Sequence, residues 1–226
     1  MARRKSYEEK VSEHIAAIVQ ARQIEQVLHF TPFENLPGIL KHGLRTRSEL
    51  ATARLNVRPS DLDRIDGEDG AVSVSISCYY PKMFDAKRYR AGDKPWVILI
   101  LHPSLLWTIP CRFYARSVAT NATQHENGRR HGGYALEKVF TECSLGTGAE
   151  GLRAKAGLPA SWPTFPDAEV QVMGAIDPAF IMGAWVESPA HRAHAEMTFT
   201  AAERGECEVG VHPFYPRIGS PPYSWG

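Results

Sequence analysis

Apolar residues near the start of the chain recur at helical spacing. They are Val11, Ile15, Ile18 and Val19. Offsets of four, seven and eight residues place all of them on one face of a helix, because 3.6 residues complete a turn. We therefore predict a helix from Tyr7 to Glu25. Residues 1–26 are interpreted as a helical appendage to a domain formed by residues 27–226.

Short runs of apolar and β-branched residues follow this helix and predict strands. They cover residues 27–31, 72–76, 96–101, 168–173, 180–186 and 208–212. The run 96–101 is apolar throughout, which is typical of a central strand. Helices are predicted from Pro32 to Gly43, directly after Tyr79-Tyr80, and from Tyr134 to Phe140. The sequence thus predicts a mixed α+β fold.

Three segments show no regular pattern. Residues 45–70 are polar, with an acidic turn at their end, and predict a loop with one helical turn. Residues 115–165 are rich in glycine, asparagine, threonine, proline and charged residues, so mobility is expected there. The tail 213–226 carries four prolines and is expected to be irregular.

Composition and charge narrow the possible functions. A chain of 226 residues that is 43% hydrophobic can form one domain with a substantial core. A net charge of +1 creates no overall field, so a nucleic-acid partner would have to be held by a local basic groove. The cysteines are Cys78, Cys111, Cys143 and Cys207. Their wide spacing predicts free, mostly buried thiols. No stretch approaches the length of a membrane span, and a cytoplasmic protein is expected.

Three patterns resemble known motifs but lack their context. Residues 146–151 have the glycine spacing of a dinucleotide-binding loop, yet glycine and proline residues break the segment before a crossover helix could form. The acidic turn 61–69 fails as a calcium loop because Ile65 occupies a ligand position. His125-Glu126 is not followed by the second histidine of a zinc-protease helix. We therefore predict no metal site.

Three other blocks of sequence carry a more specific resemblance. They are His29-Phe30-Thr31 with Asn35-Leu36, Gly38-Ile39-Leu40 and Gly43-Leu44; then Val72 to Ser77 with Met83-Phe84; and then Asp167 to Val170 with Pro178. In this order they resemble the DarT family of DNA-modifying toxins, a branch of the ADP-ribosyltransferases. The resemblance covers residues 28–181. It implies an ADP-ribosyltransferase-like mixed β-sheet core with flanking helices, and NAD as co-substrate.

Glu169 is the catalytic glutamate that the resemblance implies. Cleavage of the bond between nicotinamide and ribose generates an oxocarbenium-like centre, and a nearby carboxylate stabilises its positive charge. Taken alone, a glutamate before Val170 and Val172 is more commonly an exposed strand residue. Catalysis by Glu169 therefore requires that the strand of His29 lie beside it.

The resemblance also implies which residues line the NAD pocket. They are His29, Phe30, Thr31, Asn35, Gly38, Thr46, Arg54, Tyr80 and Met83. His29 can form a hydrogen bond with a ribose hydroxyl, although a lone strand histidine is more often a core residue. Gly38 either permits close approach of a ligand or packs its helix. Arg54 is preferred over Arg58 and Arg64 as the arginine that contacts the NAD phosphate or the acceptor base and assists proton removal.

Aromatic and basic residues surround the second block. The aromatic and thioether residues are Tyr79, Tyr80, Met83 and Phe84. We interpret them as a platform for nicotinamide or a base, although such a cluster is more often core. The basic residues are Lys82, Lys87, Arg88 and Arg90. We predict that they follow the phosphates of a single DNA strand; exposed charges that flank a helix would give the same pattern.

The implied acceptor is a base in single-stranded DNA, because a paired base cannot reach a buried pocket without being flipped out. The N-terminal helix and Ser75-Ile76-Ser77 are more similar to the guanine-modifying branch, so guanine is the first expectation and thymine the second. The alternatives are an RNA or protein acceptor, or a non-catalytic nucleic-acid-binding relative. A toxin of this family implies a cognate antitoxin, expected to be a macrodomain-type ADP-ribosyl hydrolase.

Overall fold

A computed structural model describes residues 3, 5–53, 68–92, 94–118, 130–143 and 151–214. Its centre is a seven-stranded sheet with the order β4-β5-β2-β1-β3-β6-β7. The strands are β1 (Val27–Pro32), β2 (Ala71–Ile76), β3 (Trp96–Leu101), β4 (Cys111–Tyr114), β5 (Glu169–Met173), β6 (Ile181–Val186) and β7 (Glu208–Val211). All neighbouring pairs are antiparallel except β6 and β7, which are parallel. The predicted mixed α+β fold is confirmed.

Helices flank the sheet. They are α1 (Tyr7–Ala21), α2 (Leu36–His42), α3 (Arg47–Thr52), α4 (Pro81–Ala91), α5 (Leu105–Thr108), α6 (Gly133–Val139), α7 (Leu152–Ala156) and α8 (Pro189–Ala201). Short 3₁₀ turns cover Phe33–Asn35 and Pro178–Phe180. The predicted helical turn in the loop after Arg45 is α3. The parts of that loop and of residues 115–165 that fall on 54–67, 119–129 and 144–150 lie outside the described residues.

The sheet consists of two halves that are joined at one end. Strands β1 and β2 pair only through Val27 with Ile76 and Leu28 with Ser75, whereas β1 and β3 pair along six residues and β2 and β5 along four. The β4-β5-β2 half therefore separates from the β1-β3-β6-β7 half directly after Leu28. His29 is the first residue of β1 beyond the last pair, at the point where the sheet divides.

Helix α1 is an integral part of the main hydrophobic core. Its residues Ile15, Ile18 and Val19 are buried in the same cluster as Val97 and Leu99 of the central strand β3. The hydroxyl of Ser12 also donates to the carbonyl of Trp107, at 3.0 Å. The apolar face of α1 is therefore covered by the rest of the domain. The division into a helical appendage of residues 1–26 and a domain of residues 27–226 stays a prediction.

Most predicted elements match the structure within a few residues, but some do not. Helix α1 ends at Ala21 rather than Glu25, because Gln23 has a φ of 55° and the Ile24 amide donates to the Val19 carbonyl at 3.0 Å. Nothing in a glutamine signals this left-handed turn. The elements that the sequence pattern missed are β4, α5, α7 and α8. Helix α8 escaped because only Ala195 and Phe199 of its thirteen residues are buried.

Candidate active site

Ser73, in the middle of β2, connects the two residues on which the sequence prediction rests. Its hydroxyl donates to Oε1 of Glu169 at 2.7 Å, and its carbonyl accepts from Nδ1 of His29 at 2.9 Å. Glu169 lies on β5 and His29 on β1, the two strands that flank β2. The adjacency that catalysis by Glu169 requires is therefore present, with one strand between the two side chains.

The Glu169 carboxylate is held from a second direction by the segment that follows β4. The Ser117 hydroxyl donates to Oε2 at 3.4 Å, and the Val118 amide donates to the same oxygen at 3.3 Å. Glu169 is only partly exposed, and Val170 and Val172 beside it are buried. These three donors fix the carboxylate at the end of the strand, so Glu169 is not an ordinary solvated strand residue.

An ion pair between the exposed Arg116 and the buried Asp167 supports this segment. Asp167 is 8% exposed, and its carboxylate accepts from Nε of Arg116 at 2.8 Å and from the Ser117 amide at 3.3 Å. The Arg116 guanidinium lies 4.5 Å over the ring of Phe165. Asp167 therefore fastens the chain after β4 next to Glu169. Asp167 belongs to the third block of sequence, but the sequence alone does not indicate its role, because its partner Arg116 lies 51 residues away.

His29 is neutral at physiological pH. The pKa of the imidazole is lowered from 6.5 to about 4, mainly by burial and also by the nearby charge of Lys87, while the hydrogen bond to Ser73 acts in the opposite direction. Since a carbonyl can only accept, Nδ1 carries the ring proton and donates to Ser73. Nε2 is then left as an acceptor, which is the form that can receive a hydrogen bond from a ribose hydroxyl.

The segment from Thr31 to Gly38 lies next to His29 along the chain. Thr31 is buried, and its hydroxyl accepts from the Asn35 side-chain amide at 3.0 Å. Gly38 is on the exposed side of α2, and a Cβ there would meet no atom of the described residues within 4 Å. The alternative of a helix-packing glycine is therefore wrong, because open space surrounds Gly38.

Two residues assigned to the NAD pocket have structural roles. Phe30 is 8% exposed and packs in the smaller hydrophobic cluster, with its ring centroid 4.9 Å from that of Phe84. Thr46 is buried and begins α3 through a capping box, in which its hydroxyl accepts from the Glu49 amide at 3.2 Å. Phe30 therefore has a core position and the Thr46 hydroxyl caps its helix, while contact of either residue with NAD stays a prediction.

The predicted aromatic platform divides into core and surface. Phe84 is completely buried, and Tyr79 packs edge-on against it with ring centroids 5.3 Å apart. Burial raises the pKa of Tyr79 to about 12. Tyr80 precedes α4 and is partly exposed, and Met83 packs partly exposed against the smaller cluster. Phe84 is therefore a core residue, whereas Tyr79, Tyr80 and Met83 are all partly exposed.

The four basic residues of α4 do not share one role. The Arg88 guanidinium donates to both carboxylate oxygens of Glu187 at 2.8 Å and to the carbonyl of Phe214 at 3.2 Å. Arg88 therefore joins α4 to the end of β6 and to the buried Phe214, while its contact with DNA stays a prediction. Lys82 and Arg90 are exposed, whereas Lys87 is partly buried. Its Nζ lies 5.4 Å over the ring of Phe30.

The remaining predictions concern the loop arginines, the cysteines, metal binding and membrane spans. Arg54, Arg58 and Arg64 lie outside the described residues. All four cysteines are free, and Cys111 is fully buried while the other three are partly buried. Within the described part of the chain, no group of histidine, cysteine, aspartate and glutamate side chains could hold a metal ion. The described helices are all too short or too polar to cross a membrane.

Three solved structures with a similar fold are distant in sequence. Thermus sp. 2.9 DarT in complex with carba-NAD+ is 17% identical, with 85% of this chain and 98% of that chain covered at a TM-score of 0.55. The same protein in complex with ADP-ribosylated ssDNA is 16% identical, with 85% and 97% covered at a TM-score of 0.52. Thermosipho africanus DarTG in complex with ADP-ribose is 10% identical, with 84% and 50% covered at a TM-score of 0.52. This chain thus spans half the length of the DarTG chain.

Sequence comparison identifies the family. No curated protein matched the chain. A family model described as "DarT: ssDNA thymidine ADP-ribosyltransferase, DarT" matches residues 28–215, which include His29, Ser73 and Glu169. Because the match extends over more than half of the 226 residues, the chain belongs to the DarT family of single-stranded DNA ADP-ribosyltransferases.

Proposed function

We propose that this enzyme transfers ADP-ribose from NAD to a base in single-stranded DNA and releases nicotinamide. The observation that carries the proposal is the connection of His29 and Glu169 through Ser73 at the division of the sheet. Family membership supports the reaction class. Structures of the Thermus relative, determined with NAD+ and with ADP-ribosylated ssDNA, support the pair of substrates.

In this proposal Glu169 stabilises the reacting ribose. The bond between the ribose anomeric carbon and nicotinamide breaks, its electron pair leaves with nicotinamide, and positive charge develops on the ribose. A carboxylate fixed by three donors is pre-organised to stabilise that charge without reorganising. A nitrogen of the acceptor base then bonds to the anomeric carbon and loses its proton. Arg54, Arg58 and Arg64 are the candidates to assist this proton transfer, with Arg54 preferred.

On the NAD side, His29 and α2 form the proposed pocket. The free Nε2 of His29 accepts from a ribose hydroxyl, and the open side of Gly38 lets the cofactor approach the α2 backbone. Asn35 and Thr31 orient each other beside this surface. The accessible side chains of Tyr80 and Met83 supply apolar contact. Each of these contacts is a proposal for the bound state.

The acceptor base has two candidates. The similarity of α1 and Ser75-Ile76-Ser77 to the guanine-modifying branch favours guanine. The description of the family model names thymidine and favours thymine. A matched set of single-stranded oligonucleotides, each with one guanine or one thymine in an otherwise identical adenine and cytosine context, separates the two.

The decisive experiment combines those oligonucleotides with NAD and detects addition of one ADP-ribose by mass spectrometry. Glu169→Gln is the matched control, because glutamine keeps the shape and can still accept from Ser73 but carries no charge. We expect transfer by the wild type and a loss of about 100-fold or more in the variant, the scale of losing one charge-stabilising group. Modification of RNA or protein alone would overturn the DNA proposal. Transfer by Glu169→Gln at the wild-type rate would show that another carboxylate is catalytic.

We also propose that the enzyme acts as a toxin with a cognate antitoxin. A bulky ADP-ribose on a template base blocks replication, so unrestrained activity would arrest the cell. The Thermosipho africanus relative is a DarTG chain of twice the matched length, which is consistent with a toxin domain linked to a second component. The antitoxin expected here is a macrodomain-type hydrolase that removes ADP-ribose from DNA. Co-expression that restores growth and removes the adduct tests this pairing.

A further inference from the structure

We propose that the outer face of α4 guides the single-stranded DNA, with Tyr89 stacking against an unpaired base and Lys82 and Arg90 contacting phosphates. This inference rests on the proposed function, because it takes the acceptor strand as the occupant of the face. It adds Tyr89 to the proposed DNA contacts.

Charge is concentrated on α4. The helix contains four basic residues and one acidic residue, a balance of 4 − 1 = +3, whereas the whole chain has a net charge of +1. The one carboxylate, Asp85, lies 3.8 Å from Arg88. Arg88 also pairs with Glu187, so the carboxylates of both Asp85 and Glu187 lie beside the Arg88 guanidinium. The exposed cations of the helix are Lys82 and Arg90, where positive charge complements a phosphate backbone.

Tyr89 is the accessible aromatic residue of this helix. Its side chain is 90% exposed, in contrast to the buried Phe84 one and a half turns earlier. Lys82, Ala86, Tyr89 and Arg90 are all exposed, and their spacing of four, seven and eight residues places them on one helical face. An exposed aromatic ring next to cations is typical of a surface that binds single-stranded nucleic acid, since bases stack on the ring while cations contact the backbone.

The face adjoins the candidate active site. Lys87 lies over Phe30, and its charge acts on His29. On α4, Met83, Lys87 and Arg90 follow one another at spacings of four and three residues, so Arg90 lies on the flank that continues from Lys87 toward solvent. Tyr89 and Lys82 share the exposed face of the helix with Arg90. A strand whose reacting base occupies the site can therefore continue across α4.

Binding of the full chain to a fluorescein-labelled DNA strand of about 16 nucleotides, without NAD, tests the contact. Tyr89→Ala should weaken binding about tenfold, the loss of one base stack, whereas Tyr89→Phe should retain affinity to within about twofold. Tyr134→Ala is the matched control, since Tyr134 is a 76% exposed tyrosine on α6. The double variant Lys82→Gln and Arg90→Gln should lower the slope of log affinity against log salt by about 1.4, or about 0.7 for each phosphate contact.

Transfer assays separate this inference from the proposed function. We expect Tyr89→Ala to reduce transfer to a strand of about 16 nucleotides but not to one of about 4 nucleotides, because a short strand does not extend across the outer face of α4 as far as Tyr89. Equal transfer by wild type and Tyr89→Ala on both lengths would overturn the inference and leave the enzyme a DNA-modifying one. Absence of DNA modification by the wild type would instead overturn the proposed function. An equal loss of binding in Tyr134→Ala would show that the effect of an exposed tyrosine on DNA binding does not depend on its place in the fold, and would also overturn the inference.

Discussion

Ser73 donates a 2.7 Å hydrogen bond to Glu169 from the neighbouring strand. Both residues belong to the β4-β5-β2 half of the sheet, and the carbonyl of the same serine accepts from His29 of the other half. Ser73 thus makes hydrogen bonds both to the Glu169 carboxylate and to His29 of the other half of the sheet. This arrangement makes Ser73 a positioning residue for the proposed reaction.

Ser73→Ala should reduce the turnover number while leaving the KM for NAD nearly unchanged. Loss of the hydroxyl removes the shortest donor to Glu169, and a small misplacement of a catalytic group costs about 10- to 100-fold in rate. Ser73→Thr, which keeps a hydroxyl, should recover part of the activity. Ser75→Ala is the control, since Ser75 occupies the same face of β2 one pleat away. An equal loss of turnover in Ser75→Ala would show that the effect is a general one of the strand.

Gly38→Ala should separate stability from cofactor binding. Alanine in a helix is more favourable than glycine by about 1 kcal/mol, and no described atom lies within 4 Å of the added methyl group. The variant should therefore unfold at a higher temperature. If NAD approaches the α2 backbone there, the same methyl group should raise the Kd for NAD. Calorimetry of unfolding and of NAD binding measures both, and an unchanged Kd would place the cofactor elsewhere.

His29 should make the protein less stable in mild acid. Its pKa is about 4 in the folded state against 6.5 unfolded. A lowered folded pKa means that the unfolded state binds the proton first. The contribution is therefore complete above pH 6.5 and is lost as the pH falls toward 4, at up to about 1.4 kcal/mol per pH unit. Urea unfolding of wild type and His29→Gln at several pH values in this window measures the difference.

The comparison isolates His29 because other groups titrate equally in both proteins. In His29→Gln the free energy of unfolding should fall less steeply between pH 6.5 and 4. Parallel curves for wild type and His29→Gln would contradict a neutral, partly buried His29.

Much of this site follows from local sequence, but the contacts that join it do not. The apolar run of β3 identified a central strand, and the blocks around His29 and Glu169 identified strands that lie close together. Ser73 stood inside the second block as one of several alternating serines. Ser73 is opposite Gln171 in the register of β2 with β5, and its hydroxyl reaches Glu169 diagonally, two residues along β5. This contact depends on register, which is a tertiary property.

Burial likewise distinguishes residues of α4 that the sequence alone does not distinguish. Phe84 and Tyr89 are both aromatic residues of α4, and local composition gives no reason to prefer either as a stacking surface. Their positions differ by five residues, or about 500° of helical rotation, so one faces Phe30 and Trp96 while the other faces solvent. Arg88 was likewise indistinguishable from Arg90 until Glu187, 99 residues away, was brought beside it.

Gly43 offers a test of the fold at the junction between α2 and the rest of the domain. It ends α2 with a φ of 80° and a ψ of 176°, a conformation that side chains other than glycine rarely adopt. A Cβ there would lie 2.3 Å from the carbonyl oxygen of Ile176. That oxygen cannot retreat without cost, because it accepts from the Leu44 amide at 2.9 Å. The position therefore combines backbone strain with a clash against fixed backbone.

Gly92 separates these two effects. It ends α4 with nearly the same backbone, a φ of 78° and a ψ of −176°, but no described atom lies within 4 Å of its Cβ position. Gly92→Ala should therefore cost only the conformational strain, about 1–3 kcal/mol. Gly43→Ala should cost more than Gly92→Ala, since the Leu44–Ile176 bridge must open to admit the methyl group. Equal losses in urea unfolding would show that the Ile176 backbone yields freely and that the bridge contributes little to stability.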